Sequence, residues 1–383
     1  MLKMYIVYDK IKNGNHYAMR LGEQSMEIRN TKYMEVADWL RKNIRSNNFK
    51  PGERLISEHG LCEKFGISRY TARSAISALE EEGLVVRRQG SGTYINTDVY
   101  AGRKNIGVLL TYADDYTFSD MISGIDSVLS RQNHLITLAM TQNKVETERS
   151  QLLSLLAADV DGLIVEAVKS ALASPNLEVY KDFADRNIPV IFINNYHTRL
   201  DCNFVVNDDA EGARIATDFL IKNGHHKIAG IFNHSSIQGG LRYEGFVNKL
   251  YEKNLVLDES RIIWYSEENL SAMFSGEQLQ GLAKIFSNCT AVLCYSDMVA
   301  YTLIEAAPKI GLRIPEDLSI ASFDNSFLSR LISPAITTIT HPGADMGKLA
   351  AESLLRIIQN PGYRIKHVYK PQLIVRDTVR KLL

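Results

Sequence analysis

Two groups of residues carry the chemistry of this 383-residue chain. The first is compact. Ser68, Arg69, Thr71 and Arg73 fall within six residues, followed by the run Arg87-Arg88-Gln89-Gly90-Ser91-Gly92. Guanidinium forks and hydroxyls at the first turns of a helix reach guanine edges, thymine methyls and phosphates. A basic, glycine-punctuated tip follows phosphates or dips into a minor groove. The second group is dispersed. Tyr112, Asp114, Tyr116, Phe118, Glu166, Lys169, Arg242, Asp297, Asp324 and His341 stand at the ends of apolar runs or at the openings of helices. Rings that stack on a sugar face, with carboxylates and guanidinium on its hydroxyls, are the chemistry of pentose and hexose recognition. Helix capping is the competing role for Asp208 and Asp209, while for Asp297, at the head of another helix, capping and ligand contact are compatible.

The compact group must be held by helices and a hairpin. Tyr33, Val36, Ala37, Leu40 and Ile44 repeat at helical spacing and predict a first helix from about Thr31. Ser57 caps a second helix with Leu61 and Phe65 facing inward, and Gly66 ends it. Ser68 caps a third, whose core face is Ala72, Ala75, Ile76 and Leu79 and whose end is Gly83. Leu84–Val86 and Thr93–Ile95 read as two short strands closing on the basic tip. The order Pro51-Gly52, Leu55, Ser57-Glu58, Phe65-Gly66, Ser68-Arg69, Thr71, Arg73, Glu82-Gly83-Leu84 and Arg88 to Tyr94 resembles the GntR family of winged helix-turn-helix regulators. Ile56 departs from the proline usual there. The resemblance implies binding to double-stranded operator DNA through Arg54, Ser57, Ser68, Arg69, Thr71, Arg73, Gln89, Gly90, Ser91 and Gly92.

The dispersed group needs a different scaffold. From Asn105 onward, short apolar runs alternate with helical patterns, first to Val206 and then again from Ala210. Such alternation predicts parallel α/β sheets, here in two lobes with a ligand cleft at the carboxyl ends of their strands. Val160-Asp161-Gly162-Leu163-Ile164, Val205 to Asp209, Gly224 to Ile228, Ser296 to Ala300, Gly311 to Leu318, Phe323-Asp324-Asn325 and Thr337 to Pro342 resemble the LacI/GalR ligand-binding domain, which is similar to periplasmic sugar-binding proteins. That likeness implies a homodimer and places Phe118, Arg242, Asp297 and Asp324 in or near the effector cleft. Tyr112 to Tyr116 depart from the usual loop of that family. A GntR-type head on a LacI-type body resembles the family of arabinose-responsive repressors. The implied effector is L-arabinose or a related sugar, and the implied action is release from DNA when the sugar binds.

The fold expected is therefore an N-terminal winged helix-turn-helix (31–97), a linker (98–103) and a two-lobed periplasmic-binding-protein-like domain of parallel α/β sheets (104–383), after an extension of unknown role (1–30). Global charge is zero, but residues 31–97 hold eleven Lys/Arg against eight Asp/Glu while 98–383 hold 28 against 33, a basic head on an acidic body. Cys62, Cys202, Cys289 and Cys294 form no C-x-x-C pair and suit reduced thiols in the cytoplasm. No apolar run is long enough for a membrane. No nucleophile elbow, Walker loop or metal-spaced His/Cys cluster accompanies the carboxylates, so no enzyme, metal or cofactor is expected. A sugar-binding transport protein would lack the DNA head. Met121, Ile122 and Ile125 form an apolar stripe read as a contact across the dimer axis, or as ordinary core.

Overall fold

In a computed structural model, the described residues are 27–45, 48–97, 103–112, 118–132 and 134–382. Residues 1–26 of the extension, and 98–102 of the linker, lie outside them. The chain divides between Gly102 and Arg103 into two compact units.

The first unit has three helices, α1 (Glu27–Arg45), α2 (Glu58–Phe65) and α3 (Arg69–Glu81), and a hairpin of β1 (Val85–Arg88) and β2 (Gly92–Ile95). Helix α1 begins before the expected Thr31, at Glu27. Ser57 accepts from the Gly60 amide at 3.1 Å, and Ser68 accepts from the Thr71 amide at the same distance. Gly66 adopts φ 61°, a left-handed turn that lets α2 stop and α3 leave in a new direction. Val36, Leu40, Leu61, Ala72, Ile76 and Leu79 are buried together, so the helical stripes read from sequence are the core. Ile56 packs against that core.

The second unit carries β3 (Asn105–Leu110), β4 (Leu135–Met140), β5 (Gly162–Val165), β6 (Val190–Ile193), β7 (Asn203–Asn207), β8 (Ile228–Asn233), β9 (Ile262–Tyr265), β10 (Ala291–Cys294), β11 (Ser319–Asp324), β12 (Thr337–Thr340), β13 (Lys366–Tyr369) and β14 (Leu373–Ile374). They form two six-stranded sheets, ordered β13-β7-β6-β5-β3-β4 and β14-β12-β11-β10-β8-β9. All pairings are parallel except β12 with β14. Most of the strands are largely apolar because helices cover both faces of the sheets.

The chain crosses between the lobes after β7, β12 and β13. The crossings are tied to one another. Asn207 Nδ2 donates to the Thr340 carbonyl at 3.1 Å, Asp208 N to Tyr369 at 3.0 Å and Thr340 N to Gln372 at 2.8 Å. Strand β13 was not anticipated, and the last strand is confined to Leu373–Ile374. The helix Gly343–Gln359 follows the second lobe's strands in sequence yet packs in the first lobe, against the helix Phe118–Leu129. Gly124 and Gly347 permit that approach, since a Cβ on either would come within 2.0 or 2.2 Å of the other helix's backbone. Of the two readings of this stripe, contact across a dimer axis or ordinary core, Met121 and Ile125 take the second. Both are buried under that helix, with Ile122 packed beside them.

Candidate functional site

In the first unit, α3 presents Arg69 and Tyr70 outward from its first turn, and Tyr70 is 80% exposed. Arg73 is also exposed, but its guanidinium donates to both Glu58 carboxylate oxygens, at 3.1 and 3.2 Å. Ser57 and Ser68 are occupied as helix caps, and Ser68 Oγ also lies 2.8 Å from Thr71 Oγ1. The wing tip is exposed from Arg88 to Ser91. Gly90 and Gly92 hold φ 73° and 118°, the conformations that make this tight tip. Arg88 lies over the Tyr94 ring at 4.7 Å. Arg54 pairs with Tyr94 as an isolated bridge, and a Cβ on Gly92 would lie 2.9 Å from the Arg54 guanidinium, so this arginine braces the wing.

Between the lobes lies a cavity of about 170 Å³. Pockets for drug-sized ligands run to roughly 300–1,000 Å³, so this one takes something smaller. Of the dispersed residues, Tyr112, Glu166, Lys169, Arg242, Asp324 and His341 line it. Glu166, just past β5, accepts from Thr111 N at 3.1 Å, Thr111 Oγ1 at 2.6 Å and Asn194 Nδ2 at 2.6 Å. Asn194, past β6 with φ 70°, also joins the second lobe and a crossing. Gln238 Nε2 donates to its Oδ1 at 3.2 Å, and His341 Nε2 is 3.0 Å away. Tyr265 and Tyr295 line the second lobe's wall, edge to face at 5.9 Å.

Arg242 is the buried charge of this wall. Its Nε donates to Asp209 at 2.7 Å and its Nη1 to the Tyr295 carbonyl, while Asp324 lies 3.8 Å from Nη2. The guanidinium also lies over the rings of Phe323 and Tyr295, at 4.1 and 4.6 Å. Burial works against its charge, and Asp209 with Asp324 outweighs burial and raises its pKa. Sequence suggested that Arg242 opens a helix. The helix runs Ile237–Glu252 and is capped by Ser236. Gly239 and Gly240 disguise its start because glycine disfavours helices. Here Gly239 is needed, since a Cβ there would meet the Asn233 carbonyl at 1.8 Å.

Other members of the dispersed group lie elsewhere. Asp114 and Tyr116 fall outside the described residues. Phe118 packs against the first lobe's core. Asp297 is off the cavity wall, with no solvent exposure. It binds together the ends of β11 and β12. Ser322 Oγ and Thr338 Oγ1 donate to one oxygen, the latter at 2.7 Å, and Ser326 N and Oγ donate to the other at 2.7 and 2.8 Å. Burial, then the nearby Asp324 charge, lifts its pKa from 3.8 to about 6. A raised folded-state value means that this group's stabilising contribution is full below pH ~4 and is lost as pH rises through ~6. The difference amounts to roughly 2–3 kcal/mol. Replacing Asp297 by asparagine is expected to flatten the pH dependence of urea unfolding between pH 4 and 7. An unchanged slope would refute this reading of Asp297.

Several wall residues had no signal beyond their place at or just after a strand end, namely Asn143, Asn233, Ser235, Tyr265 and Glu267, or, for Gln238, in the first turn of a helix. Polar types at those positions serve turns as readily as ligands, and only the tertiary arrangement of the two lobes separates the two.

Comparison with known proteins gives these two surfaces a family. Residues 32–95 match the model described as bacterial regulatory proteins, gntR family, and 217–379 match the periplasmic binding protein-like domain. The arabinose metabolism transcriptional repressor of Halalkalibacterium halodurans is 33% identical over 91% of this chain and 96% of that protein. Its namesake from Geobacillus stearothermophilus is 32% identical over 92% and 98%. Among solved structures, a periplasmic binding protein/LacI transcriptional regulator from Alkaliphilus metalliredigens, complexed with D-xylulofuranose, is 26% identical. It covers 72% of this chain and 98% of that one, with a TM-score of 0.62. With a GntR-type head, a LacI-type two-lobed body and full-length likeness to these repressors, the chain belongs to the family of non-enzymatic, sugar-responsive transcriptional repressors that joins the two modules.

Proposed function

We propose that L-arabinose is the effector, bound in the interlobe cavity, and that its binding releases the protein from operator DNA at arabinose-utilisation genes. The observation that carries this reading is the cavity itself: about 170 Å³, walled by tyrosine rings, carboxylates and amides drawn from both lobes. A pentose has many hydroxyls, and each desolvated one needs a partner. Charged partners such as Glu166 and Lys169 make the stronger bonds. The arabinose repressors similar over nearly their whole length support the choice of sugar. The contacts come from two lobes, so the sugar favours the arrangement that unites them, and it shifts the protein only by its differential affinity for that state. DNA must then weaken sugar binding by the factor by which sugar weakens DNA binding. The working form is a cytoplasmic homodimer with two heads on one palindrome. No helix among the described residues is long and apolar enough to cross a membrane.

A thermal-shift series over pentoses and hexoses tests the effector. L-Arabinose at a hundredfold excess over its dissociation constant is expected to stabilise the folded chain by about 2.7 kcal/mol and to lower operator affinity in parallel. A shift with another sugar and none with L-arabinose would overturn the choice of sugar while leaving the cavity as the site.

A further inference from the structure

We propose that Glu268, a residue of the second lobe outside the cavity wall, is the positioning residue for Lys169 and couples occupancy of the cleft to closure of the lobes. The proposal rests on the effector reading above. Lys169 reaches the cavity from the loop after β5, with a left-handed backbone (φ 45°) and its amide donating to Asn143 Oδ1 at 3.2 Å. Its ammonium crosses the cleft to Glu268 Oε1 at 2.6 Å. The next two residues cross as well. Ser170 Oγ accepts from Ile237 N at 3.0 Å, and Ala171 N donates to the Ser235 carbonyl at 3.1 Å. One short segment of the first lobe is thus pinned at consecutive residues to the second.

The partner side is built to hold still. Glu268 lies in a single 3₁₀ turn, Glu267–Asn269, where Asn269 Oδ1 accepts from the Ser266 amide at 2.9 Å. The preceding Glu267 faces the cavity and accepts from Asn233 Nδ2 at 2.8 Å. One turn therefore supplies a carboxylate to the wall and a second to the lysine. Lys169 and then Ser266 hold the Glu268 carboxyl down at about 2, so it is charged at any working pH. A lysine is a flexible point charge on a long stem, and an opposing carboxylate on the other lobe fixes where it points only once the lobes have met.

The pair is partly exposed, 27% for Lys169 and 57% for Glu268, which limits its strength to that of a surface ion pair. The test is a double-mutant cycle on the full chain, titrated with L-arabinose: wild type, Glu268→Gln, Lys169→Met and both together. Glu268→Gln is expected to weaken sugar binding about three- to fivefold, with an unchanged melting temperature for the ligand-free protein. The loss should shrink toward onefold at high salt and disappear in the Lys169→Met background. No loss, or the same loss in both backgrounds, overturns the proposal. If wild type binds no sugar, the effector reading fails on its own, and the lobes are then judged by small-angle scattering. Ligand-free Glu268→Gln should show a larger radius of gyration than wild type, and an equal radius removes the closing role as well.

Discussion

Replacing Arg242 by alanine is expected to destabilise the second lobe by about 3–5 kcal/mol, the usual result of removing one partner from a buried ion pair. The side chain is 2% exposed, and so is its partner Asp209. Alanine would leave Asp209 buried without its counter-charge, free the Tyr295 carbonyl from its donor, and remove the cation held over Phe323. Asp209 opens the helix Asp209–Lys222, the first element after the chain enters this lobe, so the damage would reach the base of the domain. Lysine at this position would keep a charge but lose the fork that serves Asp209 and Tyr295 together. Chemical denaturation of the full chain decides the matter. A change below about 0.5 kcal/mol, the range of ordinary surface substitutions, would show that Arg242 is not the anchor described here. Any Arg242→Ala protein that stays folded should also lose its operator response to sugar, because Arg242 lines the cavity as well as bracing it.

Arg69→Ala should weaken operator affinity by about 1–3 kcal/mol, roughly 5- to 150-fold, and relax preference at one base pair. Arg69 stands exposed on the first helical residue of α3, the end that a recognition helix turns toward the major groove. Arg73, one turn further on, is held by Glu58 in a bidentate pair. DNA must compete for it. Its replacement should therefore act mainly on phosphate contact, lowering the salt slope by about one. Equal affinity of wild type and Arg69→Ala for the operator, measured at one fixed salt concentration, would remove Arg69 from the reading surface.

How far these sites were legible depended on the range of the interactions that make them. In the head, caps, a three-helix apolar stripe and a glycine-marked wing are all local, and Ser57, Ser68, Gly66 and Gly90 stand where local rules place them. The alternation of strands and helices in the body was equally plain, because most of the parallel strands are short, largely apolar runs. Glycines within a helix hid the start at Ile237, and the strand Lys366–Tyr369, half-buried at the sheet edge, carried no strong apolar signal.

By itself the sequence determined the order of modules, the reading helix with its basic wing, the two α/β lobes, and a set of polar residues at strand ends. Those follow from periodicity and turn chemistry, which act over a few residues. Only the tertiary structure decided which polar ends share a wall. It put Asp297 behind that wall, tied to Ser322, Ser326 and Thr338. It brought Gln238 and His341 onto Asn194, and it returned the helix Gly343–Gln359 to the first lobe. Those facts rest on contacts between residues tens to more than a hundred positions apart, and the crossings of the chain between lobes, not any local pattern, set which of them meet.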